Sequence, residues 1–202
     1  MFAKFNFKLV VLGFTSVMLL ASCGGNTDSQ SDAKVQADLA AQDLKDAEDN
    51  WRQPLFSGLG GVNFTVTTSS PVAQDYFNQG LALSYAFNHA AADFAFTEAT
   101  IYDPDCAMCY WGSALVLGPN VNAGMTPSNA PRAFGLAKTA KELSENVSAK
   151  EKMLIDALQQ RYMATEPDDR KSLNEAYADG MRGVMKAFPK DAHIAALAAE
   201  SM

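Results

Sequence analysis

The chain has 202 residues, and its 16 Lys and Arg against 23 Asp and Glu give a formal net charge of −7. No basic patch or stripe supplies the counterion release that drives nucleic-acid binding, which excludes nucleic acid as a partner. There is no Gly-x-Ser-x-Gly elbow and no phosphate-cradling glycine loop, so neither that hydrolase chemistry nor nucleotide binding of that type is expected.

The first 22 residues read as a secretory signal. Lys4 and Lys8 form a basic start, Leu9 to Leu20 is an apolar run broken only by Gly13, Thr15 and Ser16, and small residues follow. The run is too short to span a hydrocarbon layer of about 30 Å as a mature helix. Leu20-Ala21-Ser22-Cys23 resembles the bacterial lipobox, which implies that Cys23 is diacylated and becomes the mature N-terminus. The alternative is an ordinary export signal with a chance cysteine. Several acyl chains make anchoring durable. Gly24 after the cysteine favours the outer membrane, on the periplasmic side of the cell envelope. Removing the signal takes two of the 16 basic residues and no acidic one, leaving 14 against 23 and a net charge of −9. An acidic surface of this kind suits solubility and selects no partner by itself.

Residues 23–50 form the lipidated N-terminus and a tether. Gly24 to Asp32 is polar and flexible in composition. Ala33 to Asp49 is a marginal helix, because Val35, Leu39 and Leu44 do not make a wide apolar stripe. Residues 51–70 form an extended lead-in, with Leu55, Phe56 and Leu59 among glycines and an alternating Val62-Asn63-Phe64-Thr65-Val66. No second strand-like run exists to pair with it, so it is expected to pack on the first helix pair.

Residues 71–202 are helical by period and punctuation. Ser70 before Pro71 is the favoured order of cap and first-turn proline, opening a helix to about Phe87. Asn88 caps a second helix to Tyr102. Asp105 caps a third, which carries Trp111, Leu115 and Leu117 and stops at Gly118-Pro119. Residues 118–130, rich in Asn, Gly and Pro, form an inserted loop, after which Ala133, Ala137 and Ala140 restore the pattern. Ser148 with Glu151 makes a capping box opening a helix to Tyr162. Pro167 starts another that ends near Pro189, and Asp191 caps the last.

With Ala73 as position one, Tyr76 falls at four, Gly80 at eight, Leu83 at eleven, Ala92 at twenty, Phe96 at twenty-four, Ala99 at twenty-seven and Pro104 at thirty-two. This is the spacing of one tetratricopeptide unit. Gly80 and Ala92 permit close approach of two helices at roughly 8–10 Å, while Pro104 blocks continuation of the second. Together with Tyr76-Phe77-Asn78-Gln79-Gly80-Leu81, Phe87-Asn88-His89, Asp103 to Gly112 and Leu117-Gly118-Pro119-Asn120, the chain resembles a family of bacterial exported tetratricopeptide-repeat lipoproteins over residues 51–202. The resemblance implies an all-α fold of antiparallel helix pairs stacked as a right-handed solenoid. It does not imply a settled activity. The chain stops within the apolar helix around Ile194-Ala195-Ala196-Leu197 without a polar capping helix, which predicts an N-terminal fragment of a longer array.

Two sets of residues carry possible function. Cys106 and Cys109 form a Cys-x-x-Cys at a helix start, compatible with a structural disulfide or buried thiols, with redox exchange, or with metal binding helped by His89. His193 is the other histidine. Tyr110 stands where histidine must follow for c-type haem attachment, which excludes that cofactor; no catalytic residue and no cofactor is assigned. The second set lies at the inner positions of the first helices: Gln74, Phe77, Leu81, Ser84, Met108, Trp111 and Leu115. They read either as a groove for an extended peptide or partner helix, or as core covered by the Leu55–Phe64 segment or by further repeats. The 118–130 loop is another candidate contact surface. The leading expectation is a lipid-anchored scaffold binding an envelope protein or peptide. The alternative is a thiol-redox or metal-handling protein using Cys106 and Cys109 with His89.

Overall fold

The computed structural model describes residues 52–202. The signal segment, Cys23 and the tether lie outside the described residues. Among these residues there are seven α-helices and no strand: α1 Pro71–Tyr85, α2 His89–Tyr102, α3 Ala107–Leu117, α4 Ala130–Glu142, α5 Ala149–Gln159, α6 Lys171–Ala187 and α7 Ala192–Glu200. The protein is therefore all-α over this span. No described helix is long and apolar enough to cross a membrane.

Local caps explain most helix starts. The Ala73 amide donates to Ser70 Oγ at 3.2 Å, with Pro71 at the first helical position. The Ala91 amide donates to Asn88 Oδ1 at the head of α2. Both halves of the Ser148–Glu151 capping box form, and Asp191 Oδ1 accepts the His193 and Ile194 amides.

Two starts differ from expectation. Helix α3 is capped by Cys106 rather than Asp105, because Asp103 accepts the Asp105 amide and folds Pro104-Asp105 into a turn; Cys106 Sγ then accepts the Cys109 amide. Helix α6 begins at Lys171 rather than Pro167. Arg170 binds Glu166 and the Arg161 carbonyl, and Asp169 accepts the Lys171 amide, so residues 163–170 are held as a loop.

Each helix packs on the next in chain order, and α1 also touches α3, which in turn touches α5. Phe96 of α2 is the wedge between α1 and α3. A Cβ on Gly80 would meet its ring at 2.7 Å, and one on Gly112 would lie closer still. The tetratricopeptide-like spacing placed Gly80 at such a close approach, and the packing gives the reason. Trp111 is almost wholly buried, and its indole N–H donates to the Leu154 carbonyl at 3.2 Å. Tyr162, beyond the end of α5, turns inward so that its hydroxyl donates to the Ala114 carbonyl at 2.6 Å.

The lead-in runs along α1 as an extended strap, as its alternation predicts. Phe64 and Val66 are buried while Asn63 and Thr65 are exposed. In place of a neighbouring strand, side-chain amides satisfy its backbone. The Phe64 amide donates to Asn78 Oδ1, the Val66 amide to Gln74 Oε1, and the Gln74 carboxamide returns a bond to the Phe64 carbonyl at 2.9 Å. Farther back, the Phe56 amide donates to Gln79 Oε1 at 2.7 Å and the Tyr76 hydroxyl to the Gln53 carbonyl. At the forward end the buried Glu151 carboxylate accepts both the amide and the hydroxyl of Thr67. Side chains of α1 and α5 thus take up much of the backbone hydrogen bonding that a neighbouring strand would otherwise supply.

Candidate functional site

The inner-face residues do not form a free groove. Phe77, Leu81 and Met108 have no exposed surface, Trp111 is 1% exposed and Leu115 6%. The strap's Phe64 ring lies 5.9 Å from that of Phe77, while Trp111 is held by the Leu154 carbonyl of α5. Of the two readings of these positions, core is the one found. Gln74 is half-buried and spent on the strap backbone, and Ser84 and Leu115 line a cavity wall.

Cys106 and Cys109 are joined as a disulfide, and neither sulfur-bearing residue has exposed surface. Neither is a free thiolate for a metal in this state. His89 has its Nδ1 3.3 Å from the Val116 carbonyl, and His193 Nδ1 lies 3.0 Å from the Tyr85 hydroxyl, with the two rings stacked. Among the described residues no group of three or more His, Cys, Asp or Glu is positioned to hold a metal ion.

A concavity lies elsewhere, where the α1–α2 turn, α3, the start of the 118–130 loop, α6 and α7 converge. It has two compartments that share Phe87, Asn120 and Glu200 as walls. The inner one, about 160 Å³, is mainly apolar, with Tyr85, Leu115, Val116 and Leu197. The outer one, about 520 Å³, is bounded by Arg161, Asn174 and Tyr177.

Phe87 stands at this junction with φ +58°. The Asn88 amide donates to the Leu83 carbonyl and the Phe87 amide to the Ser84 carbonyl, the paired bonds of a Schellman helix end. Glycine is preferred at that position because a side chain there is strained. A half-exposed phenylalanine occupies it instead, and it lines both compartments. Strain kept at a cavity is a recognised mark of a functional position.

The floor of the outer compartment is polar and underused. Arg161 is 4% exposed, and its guanidinium lies 4.3 Å from the Tyr177 ring centre. Nη2 donates to the Pro119 carbonyl at 2.6 Å and to Glu200 Oε1 at 3.3 Å. Its Nε and Nη1, the Tyr177 hydroxyl and Glu200 Oε2 are buried with no hydrogen-bond partner among the described residues. Burial opposes the Arg161 charge, but Tyr162, Tyr177 and Glu200 together raise its pKa above the ordinary arginine value. Burial likewise pushes the Tyr177 hydroxyl well up, so it remains a neutral donor at physiological pH.

Sequence reasoning missed Arg161, Tyr177, Glu200 and Phe87. Arg161, Tyr177 and Glu200 are far apart in the chain and belong to no motif, and Phe87 is legible only as a helix end within Phe87-Asn88-His89; the Asn-rich loop supplies Asn120. Comparison with protein-family models, with curated proteins and with solved structures finds no match to this chain.

Proposed function

We propose that this protein is a lipid-anchored scaffold of the bacterial cell envelope, a tetratricopeptide-like solenoid that binds a protein or peptide through its helical surface. The observation that carries this reading is the strap. Helix α1 presents Gln74, Asn78 and Gln79 to an extended segment and satisfies its backbone, which is how a helical-repeat groove holds a peptide. The spacing from Ala73 to Cys106 and the contacts of α1 with α3 and α3 with α5 support stacked pairs. The lipobox-like Leu20-Ala21-Ser22-Cys23 supports the anchor and the periplasmic address. The thiol-redox reading has less support, since exchange needs an accessible sulfur and the disulfide is wholly buried.

Two measurements test it. Metabolic acyl labelling in a bacterial host is expected to mark the wild-type chain and to be lost in Cys23→Ala; unchanged labelling refutes the anchor. A photo-crosslinker at the exposed Val121, activated in intact cells, is expected to give one discrete adduct with an envelope protein. No adduct from Val121 or from any other exposed helix or loop position refutes the scaffold reading.

A further inference from the structure

Single exposed apolar side chains are ordinary, but several together mark a contact surface. At the start of the strap, Leu55 and Phe56 are each 46% exposed and Leu59 is 37% exposed. They gather round one shallow depression of about 260 Å³, backed by Asp75, Asn78 and Gln79 of α1.

The loop that carries them stands out from the fold. Gly58 and Gly60 have φ +85° and +87°, and no atom lies within 4 Å of where a Cβ on either would sit. The base of the loop is nonetheless fixed. The buried Gln79 side chain accepts the Phe56 amide at 2.7 Å and donates to the Pro54 carbonyl at 3.0 Å, while the Tyr76 hydroxyl donates to the Gln53 carbonyl. All three bonds go to backbone, so α1 sets the course of the loop without covering its apolar side chains.

Charge and chain position narrow what the loop can meet. No charged residue occurs from Gln53 to Gln74, and Asp75 at the edge of the depression disfavours an anionic surface. A neutral lipid interface takes Leu and Phe side chains and still leaves water for the loop backbone. Residues 24–51, 28 in number, separate Cys23 from Arg52 at the loop's base. A chain of that length spans roughly 30 Å as a coil and at most about 100 Å fully extended. With Cys23 acylated, the loop is the first part of the described fold after the anchor. Tethering then holds it at high effective concentration beside the bilayer, so three partly exposed side chains suffice where they would be marginal on a free protein.

We infer that the Leu55–Leu59 loop lies in the headgroup interface of the bilayer that carries the anchor, with Leu55, Phe56 and Leu59 contacting neutral phospholipid. This rests on the lipid-anchored reading and adds a second membrane contact to it, which turns this side of α1 toward the bilayer.

The test uses the full chain isolated from a bacterial host. The exposed loop residue Ser57 is changed to cysteine (Ser57→Cys) and labelled with an environment-sensitive fluorophore. Cys106 and Cys109 are locked in the buried disulfide, and the parent chain, treated alike, gives the background. The labelled chain is combined with phosphatidylcholine vesicles containing a lipid with a nitroxide quencher at a shallow acyl-chain position, to match an insertion depth of about 5–10 Å. The loop probe is expected to lose at least half its emission relative to vesicles without quencher. The same probe on Val121→Cys, a site 76% exposed, is expected to lose less than a tenth. Adding Leu55→Ser and Phe56→Ser should cut the loop quenching at least threefold at an unchanged thermal midpoint, whereas Phe56→Trp should preserve it.

No quenching at position 57, equal quenching at 57 and 121, or quenching that survives both serines overturns the proposal. A photo-crosslinker at Leu59 that captures a discrete protein in intact cells, without lipid quenching at 57, would assign the loop to a protein partner instead. Acyl labelling keeps the two readings apart. A labelled Cys23 with an unquenched loop leaves the anchor standing and refutes the loop contact, and a quenched loop without acyl labelling does the reverse.

Discussion

Glu151→Gln tests the strap most directly, because the Glu151 side chain joins a distant extended segment to a local helix cap. The residue is 1% exposed. One carboxylate oxygen accepts the Thr67 amide at 2.6 Å, and the other accepts the Thr67 hydroxyl at 2.7 Å and the Ser148 amide at 2.8 Å. All three partners are donors in the present arrangement. A glutamine has the same shape but replaces one acceptor by an NH₂. The Thr67 hydroxyl can rotate to accept from it, but a backbone amide cannot, so one amide is left facing a donor.

The remaining bonds lose their charge assistance. A lost buried partner costs about 1–3 kcal/mol and a weakened helix cap about 1 kcal/mol, giving a destabilisation of roughly 2–4 kcal/mol. At about 2–4 °C per kcal/mol for a domain of this size, the thermal midpoint should fall by about 4–16 °C. Residue-resolved amide exchange adds a local readout. Protection of Thr67 and Ser148 should drop selectively, while the Val66 amide, held by Gln74, is affected only through global stability. A double-mutant cycle with Thr67→Val should show coupling of at least about 0.5 kcal/mol. A midpoint shift below about 1 °C with unchanged Thr67 exchange would refute the assigned role of this carboxylate.

Two further predictions concern glycines and acid stability. Gly80→Ala should destabilise by about 1–3 kcal/mol, since its Cβ would sit 2.7 Å from the Phe96 ring. Gly183→Ala, inside α6 with nothing within 4 Å, should stabilise by about 0.4–1 kcal/mol; urea midpoints of equal sign would contradict the packing around Phe96. Burial alone would raise the Asp103 carboxyl, but the Thr68 hydroxyl and the Ser69 and Asp105 amides outweigh it and hold its pKa below the ordinary value. Stability from this group is complete above the unfolded value of about 3.9 and is lost as pH falls through the lower native value. Asp103→Asn should therefore flatten the loss of urea stability below about pH 4, and an unchanged acid limb would count against those bonds.

What the sequence makes legible is mostly what neighbouring residues decide. Ser70-Pro71, Asn88, Ser148 with Glu151, and Asp191 each announce a helix start because a cap needs only the next turn. Gly80 and Phe96 are readable from spacing because a glycine one helix away from a large aromatic marks a close approach, and a Cβ on Gly80 would meet the Phe96 ring at 2.7 Å. Pro167 misleads because a first-turn proline permits a helix without requiring one, and Arg170 pulls the preceding loop onto Glu166 and Arg161. Asp105 misleads because Asp103 captures its amide first. The cleft could not be read at all. Its walls come from residues 87, 120, 161, 177 and 200, and only folding makes them neighbours.

The strap changes where recognition by this chain must take place. Phe77, Leu81, Met108 and Trp111 have the composition of a peptide groove, yet all four are buried within the chain itself, Phe77 beside Phe64 of the strap and Trp111 against Leu154 of α5. Tethering makes the strap a ligand present at high effective concentration, so an untethered peptide of similar affinity could not displace it at ordinary concentrations. A partner that bound there would have to break bonds to Gln74, Asn78 and Glu151 together and expose Phe64.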